Sequence, residues 1–296
     1  GKFVHRYGWS SIYTSDMEIK YTSNYSIPIS NKLLPAHLQE IGYQTSGFGK
    51  WNIGHCNIGY LPTARGFNSF LGYLGPGIDY TTYSCSTYGD SGKDMLNMTT
   101  SNAGQNASFA TVSPGTPTEL LFMSSALTKI KTLDDTAPPV FMWMALHGAH
   151  DDTYNGTSNV SLSWLNNYQT DYTYFEEVVD TLNVDHMREQ FIKTMLGIDE
   201  VVNQMKLSFD ELSQSSNRDF LLIVNSDNGG FPCGSYLVGS PFPHRGSKFN
   251  YFEGGVKVPA FIYSSSTAVI ADSAVGTEYA GLMHHVDWVA TLLSAA

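Results

Sequence analysis

A chain of 296 residues, 42% hydrophobic and 13% aromatic, can bury a large core as one big α/β domain or two smaller ones, and it excludes a disordered polymer. With 16 basic against 27 acidic residues the formal charge is −11, so a surface that tracks phosphates would be a local exception in a repelling field, and nucleic acid is a poor partner. No apolar run of about 18 residues occurs, so no membrane span is expected, and the opening GKFVHRYGWSS has neither the basic nor the apolar region of a signal peptide. The chain lacks an initiator Met and stops at WVATLLSAA, inside an amphipathic helical pattern, which reads as truncation at both ends.

In chain order, Ser30 or Asn31 can cap a helix that runs to Ile41 with Leu34, Leu38 and Ile41 on one face, and Gly42 stands where a left-handed C-terminal cap belongs. The strand YQTSGFG follows. Residues 52 to 114 are rich in Gly, Tyr, Ser and Asn without a sustained period and read as a long loop region. Thr116, Pro117 and Glu119 form a capping-box start for a helix to about Leu133, and PPVFMWMAL is a buried strand. From Asp185 a long helix carries Phe191, Met195, Ile198, Val202, Met205, Phe209 and Leu212 as one stripe, with the methionines as core filling. FLLIVNS and VKVPAFIYS are further strands, and a closing helix runs from about His285 to Leu293. The alternation predicts an α/β fold with a mainly parallel sheet, whose ligand crevice lies at the carboxyl ends of the strands.

Three of those strand ends carry polar groups: Lys50, then His147 and His150, then Asp227 and Asn228. A carboxylate beside an amide carbonyl is the hard-oxygen chemistry that Ca²⁺ or Mg²⁺ prefers, whereas zinc takes His or Cys. Read alone, SDNGG is equally a tight turn. Cys56, Cys85 and Cys233 have no metal-ligand spacing and read as structural. Glycosylation acceptor patterns at Asn24, Asn97, Asn106, Asn155 and Asn159 fall mostly in polar, loop-like stretches and favour the secretory pathway, with a lysosomal or extracellular destination.

GYQTSGFGKWNIG, LPTARGFNSFLGYLGPGIDYTTYSC, ALHGAH, SDNGG and HRGSKFNYFEGGVKVPAF occur in this order, between an opening GKFVHRYG and a closing HHVDWVATL. The series resembles the successive signatures of the sulfatase family, in the group that includes arylsulfatase B. The resemblance implies a single catalytic domain over residues 1–296, with the alkaline-phosphatase-like fold of a large sheet sandwiched between helices. The implied activity is hydrolysis of sulfate esters, such as those of sulfated carbohydrate, by a formylglycine. It also implies that Asp227 and Asn228 are two ligands of one divalent cation, Ca²⁺ rather than Mg²⁺. Lys50 and Lys248 would hold sulfate oxygens, and His150 would stand near the ester oxygen, where a proton must reach the leaving alkoxide. Gly254 and Gly255 would let the chain turn tightly beneath the site, and His147, His244, His284, His285, Arg245 and Glu253 read as packing or bracing residues.

Two departures from the family pattern bear on activity. Asn52 stands where a histidine is usual, and an amide neither takes up nor releases a proton near neutral pH. The family's Asp-Asp metal pair and its C/S-x-P/A-x-R nucleophile segment precede the match to GKFVHRYG, so the 296 residues as they stand are expected to be inactive. The alternatives are a non-catalytic homologue that binds anionic sugars and a related phosphate or phosphonate ester hydrolase. The second is opposed by the amide at Asn228, where two-zinc phosphatases of the superfamily carry His. Tyr80, Tyr83, Tyr154 and Trp164 are aromatic candidates for stacking on sugar rings or for ordinary packing.

Overall fold

The computed structural model describes residues 1–7, 19–85, 92–100, 107–150, 163–168, 172–232 and 239–296. Its elements are α1 (Leu34–Glu40), β1 (Gln44–Lys50), β2 (Ser69–Tyr73), β3 (Leu96–Thr100), β4 (Ala107–Thr111), α2 (Thr118–Ile130), β5 (Val140–Ala145), α3 (Tyr172–Thr181), α4 (His186–Ser215), β6 (Leu222–Asn225), α5 (Glu253–Val256), β7 (Ala260–Tyr263) and α6 (Asp287–Ala295). They form two compact units. The first comprises Gly1–Thr118, Ala137–His147 and Tyr279–Ala296, and the second Glu119–Thr136 and Gly148–Glu278.

The first unit is built on a mixed five-stranded sheet of order β4-β3-β2-β1-β5. β1 pairs in parallel with both β2 and β5, while β2–β3 and β3–β4 are antiparallel. The five central positions of β1 are buried, as expected for a strand covered on both faces. Trp51, Phe67, Phe70 and Met98 form the core beneath it. Gly49 is required there: its φ is +91°, and a Cβ would lie 1.9 Å from the Ala145 carbonyl oxygen. The backbones of β1 and β5 therefore close together just before Lys50.

The second unit contains the long helix α4, whose first turn is capped by Asp185 accepting from the Arg188 N–H at 3.1 Å. Its buried face is Thr194, Gly197, Glu200, Val201 and Met205. That face is displaced from the stripe drawn from the larger residues: Met205 is buried, but Met195 is exposed, because the small residues Thr194 and Gly197 let the neighbouring chain come close. β6 and β7 make a separate two-stranded antiparallel sheet. The expectation of a mainly parallel sheet is corrected accordingly. Among the described residues only the β1 pairings are parallel, since β3 and β4 return antiparallel beside β2 and β7 returns against β6.

Three local expectations also change. Residues 52 to 114 hold β2, β3 and β4, strands too short and too rich in Ser, Thr and Gly for periodicity to show. α1 starts after Leu33 rather than at Ser30 or Asn31, with Pro35 in its first turn and no side-chain cap, although Gly42 does take a left-handed φ of +94°. Glu119 does not close a capping box on Thr116; its carboxylate accepts the Gly148 N–H at 2.8 Å.

Candidate active site

His150 sits in the turn after β5, and the Glu119 bond to Gly148 N–H holds the start of that turn. Lys248 Nζ lies 3.1 Å from His150 Nε2. An ammonium has only donors, so the histidine accepts here through an unprotonated Nε2. A cation and a proton carrier are thus in direct contact within the second unit.

The loop that carries Lys248 is locked to the one that carries Asp227 and Asn228. Lys248 N–H donates to Gly230 O at 3.0 Å, Gly229 N–H to Gly255 O at 3.0 Å, and Gly254 N–H to Arg245 O at 2.8 Å. Gly229 allows this, because a Cβ there would stand 1.8 Å from the Gly254 carbonyl oxygen. The two glycines of EGGV thus lie within the second unit's interlocked loops.

Asp227 is exposed and Asn228 half-buried. Asn228 Nδ2 donates to Gly229 O at 2.9 Å, which orients the amide and leaves Oδ1 as an acceptor. One carboxylate and one amide oxygen suit a hard cation in kind. They do not suffice in number. Among the described residues no group of three or more His, Cys, Asp or Glu side chains could hold a metal, so further ligands must be supplied for a site to form.

Lys50 and Asn52 belong to the first unit. Lys50 is the half-buried last residue of β1, and the chain then runs beside the end of β2, with Trp51 N–H on Tyr73 O at 2.9 Å and Asn52 N–H on Leu74 O at 3.1 Å. Asn52 takes a left-handed φ of +43°, which Asn tolerates better than most residues, and its Oδ1 is buried without a hydrogen-bond partner among the described residues. Its amide is thus an acceptor awaiting a donor. His55, three residues after Asn52, has its Nε2 3.1 Å from Tyr21 O and its ring edge-on against Tyr21, and its Nδ1 is buried without a hydrogen-bond partner among the described residues.

Sequence reasoning missed the groups that hold these segments. Asp94 is buried and accepts the Leu74 N–H at 2.9 Å and the Gly75 N–H at 2.8 Å, gripping the turn against which Asn52 lies. Burial raises its pKa, against the opposing pull of those N–H groups and the Tyr21 hydroxyl. Tyr21 is itself pushed far above the usual phenol range, first by burial and then by the Asp94 charge. Glu119, also buried, was hidden by its apparent capping role. A buried acid in a strongly apolar or Gly-rich context was the available signal for both.

Other readings of individual residues resolve as follows. His147 is buried and stacked on Tyr80 at 4.1 Å, a packing residue. Tyr80, Tyr83 and Trp164 are buried, so they fill the interior rather than face a sugar, and Tyr154 lies outside the described residues. His244 braces Glu253 at 3.1 Å and Arg245 lies over Phe252 at 3.9 Å. His284 packs on Phe3 and on His285. Cys56 is exposed and Cys85 buried, neither in a disulfide among the described residues, and Cys233 lies outside them. Asn24 and Asn97 are exposed, the latter on β3 rather than in a loop, while Asn106, Asn155 and Asn159 lie outside the described residues.

A profile of the sulfatase family matches residues 8–296. The chain belongs to the sulfatase family. It is 29% identical over 279 residues to arylsulfatase J of Mus musculus, covering 94% of this chain and 41% of that relative. The chain therefore spans less than half the length of this curated sulfatase. Among solved structures it resembles Ps i-CgsB with a TM-score of 0.60 at 19% identity, covering 81% of this chain and 49% of that one. It also resembles the PsFucS1 sulfatase from Pseudoalteromonas sp., with a TM-score of 0.54 at 18% identity, covering 82% and 46%. Ps i-CgsB has also been solved in complex with k-i-k-neocarrahexaose, and that structure gives a TM-score of 0.58 at 20% identity, covering 81% and 49%. These likenesses establish a sulfatase-like α/β fold.

Proposed function

We propose that this chain carries part of the active site of a sulfuric ester hydrolase of the arylsulfatase B-like group, acting on sulfated carbohydrate. The observation that carries this reading is the contact of Lys248 Nζ with His150 Nε2 at 3.1 Å, on a loop bonded to the one bearing Asp227 and Asn228. In it Lys248 holds sulfate oxygens, supplying charge where it develops in the transition state, and Lys50 is assigned the same kind of contact by its place in the GKW motif alone. When sulfate draws off the Lys248 ammonium, His150 Nε2 is freed to take up a proton from solvent and pass it to the leaving alkoxide. Asp227 and Asn228 are two of the ligands of a Ca²⁺ ion, which, when bound, would polarise the sulfate group. The remaining ligands and the formylglycine come from outside these 296 residues, which contain no C/S-x-P/A-x-R segment.

The sugar substrate is supported by analogy with Ps i-CgsB, which was solved with a carbohydrate bound. The exposed acceptor asparagines Asn24 and Asn97 support a glycoprotein made in the secretory pathway. A second reading, binding of anionic sugars without turnover, is favoured by Asn52, whose amide cannot shuttle a proton. The test is to express the complete reading frame with calcium and compare hydrolysis of an aryl sulfate with that of the matching aryl phosphate. Preferential sulfate hydrolysis, abolished by His150→Ala and Lys248→Ala, is expected. Preferential phosphate hydrolysis overturns the reading, and the absence of any ester hydrolysis leaves the binding protein in its place.

A further inference from the structure

The loop from His244 to Glu253 has a composition unlike the rest of this acidic chain. Its charged residues are Arg245, Lys248 and Glu253, so it is locally basic in a molecule of formal charge −11. Each of the two cations lies over an aromatic ring. Arg245 Cζ is 3.9 Å from the centre of the Phe252 ring, and Lys248 Nζ is 5.3 Å from the centre of the Phe249 ring. Both rings are nonetheless open to solvent, Phe252 at 46% and Phe249 at 62% exposure.

Among the described residues no carboxylate pairs with Arg245 or Lys248, and the loop's one acid is engaged elsewhere: Glu253 lies 3.1 Å from His244 Nδ1 and 3.9 Å from Lys257 Nζ. The arrangement is also built rather than incidental. Asn250 Oδ1 accepts from Ser247 N–H and Phe252 N–H, both at 3.3 Å, and so ties the Lys248 half of the loop to the Arg245 half. Phe249 holds a left-handed φ of +77°, a conformation a bulky residue adopts only when its surroundings impose it, and its ring packs edge-on against Phe231 at 5.4 Å. Two cations with no carboxylate partner among the described residues, two solvent-exposed phenylalanines and a cross-braced backbone make a surface with two anion-holding heads.

We infer that Arg245 with Phe252 and Lys248 with Phe249 form a two-headed site for a sugar that bears two anionic groups. The sulfate ester to be cleaved lies at Lys248, and a second sulfate or carboxylate lies at Arg245. This rests on the proposed function for the Lys248 head alone; the Arg245 head stands on the loop's own geometry. The guanidinium presents a planar fork that matches either oxyanion, and a ring face beside each cation offers an apolar bed for the C–H face of a pyranose. The substrate class is then an oligosaccharide with anionic groups on neighbouring positions or rings, rather than a sugar with a single sulfate.

The inference is tested by calorimetric titration of the 296-residue chain with three disaccharides: one disulfated, one bearing a sulfate and a carboxylate, and one bearing a single sulfate. The first two are expected to bind at least about tenfold more tightly than the third, as one charge-assisted contact requires. Arg245→Met keeps the stem over Phe252 and removes the charge. It should abolish that advantage while leaving the affinity for the monosulfated sugar unchanged, and whichever dianion loses more identifies the group that Arg245 prefers. Lys248→Met should weaken all three. Equal affinities for the three sugars, no effect of Arg245→Met, or an equal loss for all three in that variant would overturn the two-headed site. An Arg245 effect with no Lys248 effect would sink the proposed function and spare the second head. Circular dichroism melts of both variants that match the parent exclude loss of fold as the cause.

Discussion

Gly229→Ala should break the lock between the Asp227 loop and the Lys248 loop. The new Cβ would stand 1.8 Å from Gly254 O and 2.8 Å from Gly254 C, both backbone atoms that cannot rotate away. Separating the carbonyl oxygen from it to even a tight 3.0 Å moves one strand of the lock by about 1.2 Å. Three hydrogen bonds hold that position: Gly229 to Gly255, Gly254 to Arg245 and Lys248 to Gly230. Loss of two or three of them, each contributing ~1 kcal/mol net, gives a destabilisation of about 2–3 kcal/mol. For a cooperative unit of this size that lowers Tm by roughly 4–12 °C. Differential scanning calorimetry measures it, with Gly59→Ala as control, since the nearest atom to a Cβ there is Ile29 Cδ1 at an ordinary 3.5 Å. A Gly229→Ala melt within about 1 °C of the parent would refute the close-approach argument, because ordinary surface changes stay within ~0.5 kcal/mol.

Three further outcomes follow from the same geometry. Asp94 has a folded-state pKa raised by burial, so the folded chain holds its proton more readily than the unfolded one. Its contribution to stability is therefore fully present below the ordinary carboxylate pKa and is lost as pH rises through the raised folded value. Asp94→Asn should remove that increment, so urea-melt stabilities of parent and variant diverge as pH rises above the ordinary carboxylate range; parallel curves would contradict it. Calcium at millimolar concentration should leave the melt of the 296-residue chain within about 1 °C, because two oxygen ligands do not hold the ion against water, and a saturable calcium heat abolished by Asp227→Ala would overturn this. The same purified chain should not hydrolyse an aryl sulfate, for want of a nucleophile, and turnover would show that a group within it attacks sulfur.

Much of this architecture was legible in the sequence because single segments declare themselves. β1 and β5 are apolar or small-residue runs with clear ends, α4 has an unbroken period and an Asp cap, and the candidate side chains Lys50, His150, Asp227 and Asn228 stand at or after strand ends. What was not legible depends on partners distant in sequence. β3 and β4 are too short to show a period, and their antiparallel return beside β2 is decided by pairing rather than propensity. Asp94 and Glu119 look like surface acids in sequence, yet each is buried as an acceptor for a backbone turn that the folded chain brings to it. The offset of the α4 buried face shows the same limit: the large-residue stripe is mostly half-buried, beside the most buried row that includes Thr194 and Gly197.

The most direct test of the central claim is nitrogen NMR of the His150 ring in the 296-residue chain titrated with inorganic sulfate. If Lys248 and His150 are the sulfate-holding and proton-carrying pair, sulfate takes the ammonium and changes the state of Nε2. The His150 Nε2 resonance should then shift saturably, and Lys248→Met should abolish the shift. A resonance indifferent to sulfate, or one that responds equally in the variant, would contradict the account.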